Sequence, residues 1–150
     1  LDYFFGTLRP VSVSDAIYDY KPFDPKLSAR LETRDGAPVR LLGCDSRMFF
    51  PFEVDLVMEK GRISIEDLGN RVRRRWVRPH PLFMSQSSLD DGVCIETQLP
   101  MALANAVGDV YEHLANGKPL VSDGVSALAT EKVSGALLAM ARDRNEGDDC

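Results

Sequence analysis

The stretch Glu53-Val54-Asp55-Leu56-Val57-Met58-Glu59-Lys60-Gly61-Arg62-Ile63-Ser64-Ile65-Glu66-Asp67 reads as two strands joined by a tight turn. Val54, Leu56 and Met58 alternate with Asp55 and Val57, and Ile63 and Ile65 alternate with Arg62, Ser64 and Glu66. A period of two places each set on one face of a sheet. Glu59-Lys60-Gly61 supplies the turn, and a connection this short makes the pair antiparallel, because a parallel crossover needs a dozen residues or more.

The pattern extends in both directions. Upstream, Leu27-Ser28-Ala29-Arg30-Leu31-Glu32-Thr33 alternates, Arg34-Asp35-Gly36-Ala37 turns, and Val39-Arg40-Leu41-Leu42-Gly43-Cys44 returns. Asp-Gly supplies the positive φ of a tight two-residue loop. Farther back, Val11 to Ile17 keeps apolar residues on odd positions until Tyr18 and Tyr20 break the phase, and Lys21-Pro22-Phe23-Asp24-Pro25 stops any regular element. Downstream, Leu68-Gly69-Asn70 turns into Arg71-Val72-Arg73-Arg74-Arg75-Trp76-Val77-Arg78. The first 80 residues thus read as an antiparallel meander of about six strands, and residues 79–98 as polar and irregular.

The period then lengthens. Leu103, Val107, Val110 and Leu114 fall on one face of a helix, with Pro100 in its first turn and Asn116-Gly117 as a left-handed stop. A second helix starts at Ser122 or Asp123, buries Val125, Ala129, Val133, Ala136, Leu137 and Met140, and frays by residues 144–147, leaving Asp148-Asp149-Cys150 as a tail. The expected fold class is α+β: a large open, predominantly antiparallel β-sheet with helices packed on one face. Leu103, Val107, Leu137 and Met140 are expected to share a core with Val54, Leu56, Ile63 and Ile65.

The chain has 150 residues, 23 acidic and 18 basic side chains and a net charge of −5, with 44% hydrophobic residues. These values fit one soluble globular domain and exclude disorder, collagen and coiled coil. The acidic balance argues against nucleic acid, which calls for a basic face. No apolar run approaches the roughly 18 residues of a membrane span, and no secretory signal opens the chain. It opens at Leu1 inside an apolar segment, as a fragment would. Cys44, Cys94 and Cys150 match no zinc or redox spacing and read as buried or unreactive thiols of a reducing cytosol, so a cytoplasmic protein is expected. Two histidines are too few for a histidine-rich metal site.

Few residues carry chemistry. Alternation places Arg71, Arg73 and Arg75 on one face and Val72, Arg74 and Trp76 on the other. That run reads as a solvated sheet face or an edge guarded by charge, with a small anionic ligand or partner, or nucleic acid, as the alternatives. His80, between Pro79 and Pro81, is an accessible candidate base without an adjacent carboxylate to orient it. His113 reads as a structural group near a helix C-terminus. No G-x-S-x-G, G-x-G-x-x-G or G-x-x-x-x-G-K-[ST] occurs.

Two stretches resemble a known family. Asp45-Ser46-Arg47 followed by Glu53 to Ile65 is similar to the sheet of the Gfo/Idh/MocA oxidoreductases, where a serine–arginine strand end precedes an acidic-aliphatic strand, a Lys-Gly turn and a second aliphatic strand. Met101 to Val107 resembles the family's penultimate helix. Leu114-Ala115-Asn116-Gly117-Lys118-Pro119-Leu120-Val121-Ser122-Asp123-Gly124-Val125-Ser126-Ala127-Leu128 resembles its approach to the last helix. Met58 departs from the pattern, which usually has glycine there. The likeness spans nearly the whole chain, in order.

The resemblance implies a C-terminal domain over residues 1–147, with an N-terminal Rossmann domain missing upstream. NAD or NADP would bind the full-length parent, and the family's catalytic lysine and histidine would also lie upstream, so this chain alone is expected to bind no cofactor and to be inactive. The expected function is substrate binding and oligomerisation for an NAD(P)-dependent dehydrogenase acting on a sugar, cyclitol or related polyol. Arg47, Arg78 and His80 are the expected substrate-facing residues, and a bidentate arginine would orient a carboxylate or phosphate. A surface salt bridge is the alternative role of Arg47. A homodimer through the open sheet face is expected, because both strand phases carry apolar residues: Val57 opposes Val54 and Leu56, and Val77 opposes Val72 and Trp76. The alternative is a stand-alone, non-catalytic interaction module using the same face.

Overall fold

The computed structural model describes residues 5–14, 26–45 and 52–147, with side chains as far as Arg144. The continuation of the first strand to Ile17, the Lys21–Pro25 stop, Arg47 and the tail at 148–150 lie outside the described residues. Those described form an α+β structure with eight strands, every pairing antiparallel, in sheets of three and five, plus two α-helices. They fall into two compact units, one drawn from residues up to 49 and from 120 onward, the other from residues 50–119. The expected six-strand meander is therefore divided: the strands before residue 45 and those after residue 53 belong to different sheets.

In the first unit, β1 (Arg9–Val13), β2 (Ala29–Glu32) and β3 (Pro38–Leu41) lie in that order. The register sets Ala29 opposite Val13 and Leu41, and Leu31 opposite Val39, gathering these apolar side chains on one face. Helix α2 (Gly124–Gly147) covers that face, burying Leu137 and Ala141 against Leu8, Val13, Ala29 and Leu31. Leu31 is wholly inaccessible, a burial that contributes about 1.5–3 kcal/mol. The Arg144 guanidinium donates to the Val13 carbonyl at 2.7 Å, fastening the end of the helix to β1. Asp123 caps its start, as expected: its carboxylate accepts from the Ser126 amide at 2.8 Å, and the Ser126 hydroxyl accepts from the Asp123 amide at 3.1 Å.

Two expectations about this unit are corrected. The core partners of Leu137 are β1 and β2 residues rather than Val54, Leu56, Ile63 and Ile65, and Val125 and Ala136 of the expected stripe are exposed. The β2–β3 loop is also wider than two residues. The Thr33 amide donates to the Ala37 carbonyl, and the Thr33 hydroxyl accepts from the Ala37 amide, both at 3.0 Å, so residues 33–37 close the turn with Gly36 at φ +83°.

In the second unit, β4 (Val54–Met58), β5 (Gly61–Glu66) and β6 (Arg71–Pro79) are adjacent. Beyond β6, β7 (Ser87–Leu89) pairs with residues 77–79 and β8 (Val93–Glu96) with residues 71–74. The region 79–98, expected to be irregular, thus supplies two strands. Asp90 makes this possible. Its carboxylate accepts from the Trp76 amide and its own amide donates to the Trp76 carbonyl, each at 2.9 Å, holding the chain against β6 where Gly92 (φ +79°) turns it back.

The register gives the five-stranded sheet two dissimilar faces. Val54, Ile65, Val72 and Ile95 form one row across it, and Leu56, Ile63, Arg74 and Val93 the next, with Met58 and Trp76 flanking Gly61 beyond. The opposite face carries Asp55, Arg62, Ser64, Glu66, Arg71, Arg73, Arg75 and Glu96. Helix α1 (Ala102–Asn116) follows β8 and ends, as expected, with Gly117 at φ +68°. Its apolar stripe is not buried, however. Leu103 is 80%, Val107 63% and Leu114 79% exposed.

Candidate functional site

The polar face of the second unit is the richest cluster of charged side chains, and most are paired. Asp55, on β4, accepts from Arg62 Nε at 2.8 Å and Nη2 at 2.5 Å, a bidentate contact, and from the Ser64 hydroxyl at 2.7 Å. The Arg62 bonds, then the Ser64 bond, hold the Asp55 carboxyl below the usual carboxylate range, and Asp55 in turn raises Arg62. Glu66 sits between Arg71 (4.0 Å) and Arg73 (3.8 Å). Arg75 Nε donates to the Asp90 carbonyl at 2.8 Å, and Arg74 lies over the Trp76 ring, 5.2 Å from its centroid.

The alternation expected for the arginine run is therefore what β6 adopts, with Arg71, Arg73 and Arg75 on the face opposite Val72, Arg74 and Trp76. Glu66 on β5, against Arg71 and Arg73, and the Asp90 carboxylate, 3.7 Å from Arg78, neutralise part of its charge. Ser64 is buried and its hydroxyl donates to Asp55, a carboxylate that Arg62 makes a weaker base still and so a poor activator of a serine nucleophile.

Of the expected substrate-facing residues, Arg47 lies outside the described residues. Arg78 is exposed near the end of β6, with its Nε 3.7 Å from Asp90. His80 follows β6 and closes the turn to β7. Its Nδ1 accepts from the Leu82 amide at 3.1 Å and the Phe83 amide at 3.2 Å, and its ring lies 4.8 Å from that of Phe83. These bonds assign the ring proton to Nε2. His80 so placed can offer a hydrogen bond through Nε2, whereas the lone pair a general base would use is engaged by backbone. The β6–β7 hairpin brings Arg78 and His80 to one end of the sheet. His113 Nδ1 donates to the Lys118 carbonyl at 2.8 Å, the structural role expected of it.

Pro100 lies in the 3-10 turn ahead of α1, and the Asp123 carboxylate accepts an amide at the start of α2. Among the described residues, no group of three or more His, Cys, Asp or Glu side chains is placed to hold a metal ion, and no helix is long and apolar enough to cross a membrane. Cys44 and Cys94 are free and exposed.

Sequence reasoning passed over one feature, a recess of about 550 Å³ in the first unit lined by Phe5, Gly6, Thr7, Arg9, Thr33 and Arg34. Its two arginines are far apart in sequence and meet only because β1 pairs with β2, Arg9 opposite Glu32. No protein-family model, curated protein or solved structure significantly matches the chain.

Proposed function

We propose that the chain is the substrate-binding and oligomerisation domain of an NAD(P)-dependent dehydrogenase acting on a sugar, cyclitol or related polyol. The observation that carries this reading is the ordered run of segments similar to the Gfo/Idh/MocA oxidoreductases, together with their local conformations. The Glu53–Ile65 segment folds as the antiparallel β4–β5 hairpin turning at Glu59-Lys60, and the Met101–Leu128 segment as a helix, a glycine stop and an acid-capped second helix. Cofactor and proton-transfer groups belong upstream of Leu1, and this chain contributes one wall of the substrate cleft. Within it Arg78 orients an anionic group of the substrate, and His80 donates from Nε2 to a hydroxyl.

The test is to read the coding sequence upstream of Leu1 and assay its full product. The reading requires a strand–turn–helix with G-x-G-x-x-G, and reduction of NAD or NADP by a polyol from a panel of sugars and cyclitols. A product without that fingerprint, inert on the panel, overturns it. The exposed apolar surface of the second unit favours a second reading, a non-catalytic interaction module, which that same outcome would leave standing.

A further inference from the structure

The face of the three-stranded sheet turned away from α2 carries more guanidinium than its carboxylates neutralise. Alternation with the buried Ala29 and Leu31 puts Arg30 and Glu32 of β2 on that face, with Arg9 of β1 opposite Glu32 and Arg40 of β3 opposite Arg30. Glu32 is shared: it pairs with Arg9 and, at 3.3 Å, with Arg30. Arg40, and Arg34 in the β2–β3 turn, have no carboxylate partner among the described residues, and neither has Asp35 a cation. Arg9, Arg30, Arg34 and Arg40 thus outnumber Glu32 and Asp35, in a chain whose net charge is −5. Like charges directly opposite one another, as Arg30 and Arg40 are, cost stability unless a counter-charge is supplied.

A recess opens where β1 and β2 run past their last rung. Phe5, Gly6 and Thr7 lead into β1, Thr33 and Arg34 leave β2, and together with Arg9 they line about 550 Å³. That volume lies inside the range of roughly 300–1,000 Å³ typical of small-molecule sites. Its lining is rich in donors. Arg9 meets Glu32 through Nη2, which leaves its Nε and Nη1, and Arg34 brings a whole guanidinium. Thr33 Oγ1 accepts from the Ala37 amide at 3.0 Å, so its own proton remains to be donated, and Thr7 adds a second hydroxyl. Phe5, half-buried against the core, contributes an apolar wall. Gly6 stands at φ +68° with nothing within 4 Å of where a Cβ would lie, so the chain leaves that side clear.

We infer that this recess binds the phosphate group of a small molecule, as a phosphate ester or as the free ion. Guanidinium forks match the paired oxygens of phosphate. The terminal oxygens of a tetrahedral dianion accept from several directions at once, which suits two arginines and two hydroxyls from separate segments, whereas a carboxylate accepts in one plane. A dianion held beside Arg9 also supplies the counter-charge that the Arg30–Arg40 rung lacks. The bounded volume suits a small molecule rather than a polymer. The site belongs to the first unit and is independent of the proposed dehydrogenase reading, whose Arg78 and His80 belong to the second.

The experiment follows the backbone amide NMR spectrum of the full chain as inorganic phosphate, glucose 6-phosphate and glucose are added separately. Saturable shifts at Gly6, Thr7, Thr33 and Arg34 with either phosphate, and none with glucose, are the expected result. Tighter binding of glucose 6-phosphate than of inorganic phosphate identifies an ester site, and equal or weaker binding a site for the free ion. Arg34→Gln, at an exposed turn position, should weaken binding about ten-fold or more by removing charge-assisted bonds. Arg40→Gln, which acts only through the field, should weaken it about two-fold. Both should leave the far-UV dichroism unchanged. The inference is overturned if no saturable shift appears in the recess, or if binding is indifferent to Arg34→Gln. Shifts confined to Arg78 and His80 would overturn it too, by placing the phosphate at the β6–β7 hairpin. So would binding of a single-stranded oligonucleotide where neither small phosphate binds, which would make the basic face a polymer tract.

Discussion

Gly61 begins β5 between Met58 of β4 and Trp76 of β6, and replacing it with alanine tests the register of the second unit. A Cβ at this position would lie 2.2 Å from the Arg75 carbonyl oxygen and 3.3 Å from the Trp76 Cα. An ordinary carbon–oxygen contact is about 3.3 Å, so β5 and β6 must separate by roughly 1 Å. β5 cannot retreat freely, since β4 pairs along its other edge from Met58 opposite Gly61 onward. Separation strains the bond from the Val77 amide to the Lys60 carbonyl, 2.9 Å, and the adjoining Gly61–Trp76 rung. Two such bonds at about 1 kcal/mol each, with about 1 kcal/mol of crowding, are offset by up to 1 kcal/mol because alanine orders less chain on folding. The net loss is about 2 kcal/mol, roughly thirty-fold in the folding equilibrium. Trp76, the sole tryptophan, sits directly opposite, so urea unfolding followed by its fluorescence reports the event where it occurs. Gly36→Ala is the control. There the space is open and only the φ of +83° opposes a side chain, costing about 1–2 kcal/mol, with no change in native tryptophan emission. A Gly61→Ala protein within 0.5 kcal/mol of wild type, its emission unaltered, would refute the close approach of β5 to β6.

Other expectations can be checked separately. Leu31→Ala empties the most deeply buried site of the first unit and should cost about 2–5 kcal/mol in urea unfolding followed by circular dichroism, whereas Leu128→Ala, on the exposed side of α2, should cost under 0.5 kcal/mol. Because the Asp55 carboxyl is depressed in the folded state by Arg62 and Ser64, its contribution to stability is complete above the unfolded value near 4 and is lost as pH falls through the lower folded value. Asp55→Asn should therefore lower stability slightly at neutral pH and flatten its decline in acid, and an unchanged acid slope would show that the pair with Arg62 is screened out. His80→Ala removes the acceptor for the Leu82 and Phe83 amides. Hydrogen exchange at those two amides should accelerate at least ten-fold, with the β4–β5 amides unaffected.

How much of this was legible in the sequence follows from which interactions are local. The β2–β3 and β4–β5 hairpins were, because alternation and a nearby turn determine both strands of each. So was the cap of α2, where Asp123 and Ser126 are three residues apart. The separation of the strands into two sheets was not, since nothing in either alternation says whether β3 pairs with β4. Nor were β7 and β8 foreseen. They are short, and they hold to β6 through Asp90, whose three contacts with Arg75 and Trp76 span about fifteen positions of sequence. The candidate site divides the same way. The arginine alternation was readable, but Glu66 and Asp90 as its neutralising partners depend on register, and His80 as a turn cap depends on two amides a sequence pattern does not mark.

The α1 stripe makes the sharper point. Its period is an unambiguous statement that the helix has an apolar side, and sequence reasoning took the next step, that the side is buried within the chain. Periodicity carries no such information: it specifies a surface that avoids water and leaves the covering element open. On α1 the period did not become burial, and Leu103, Val107 and Leu114 stay exposed. Leu137 of α2 shows the difference: there β1 and β2 supply the face that covers it, so the burial of an apolar stripe is decided by the element it meets and not by its own spacing.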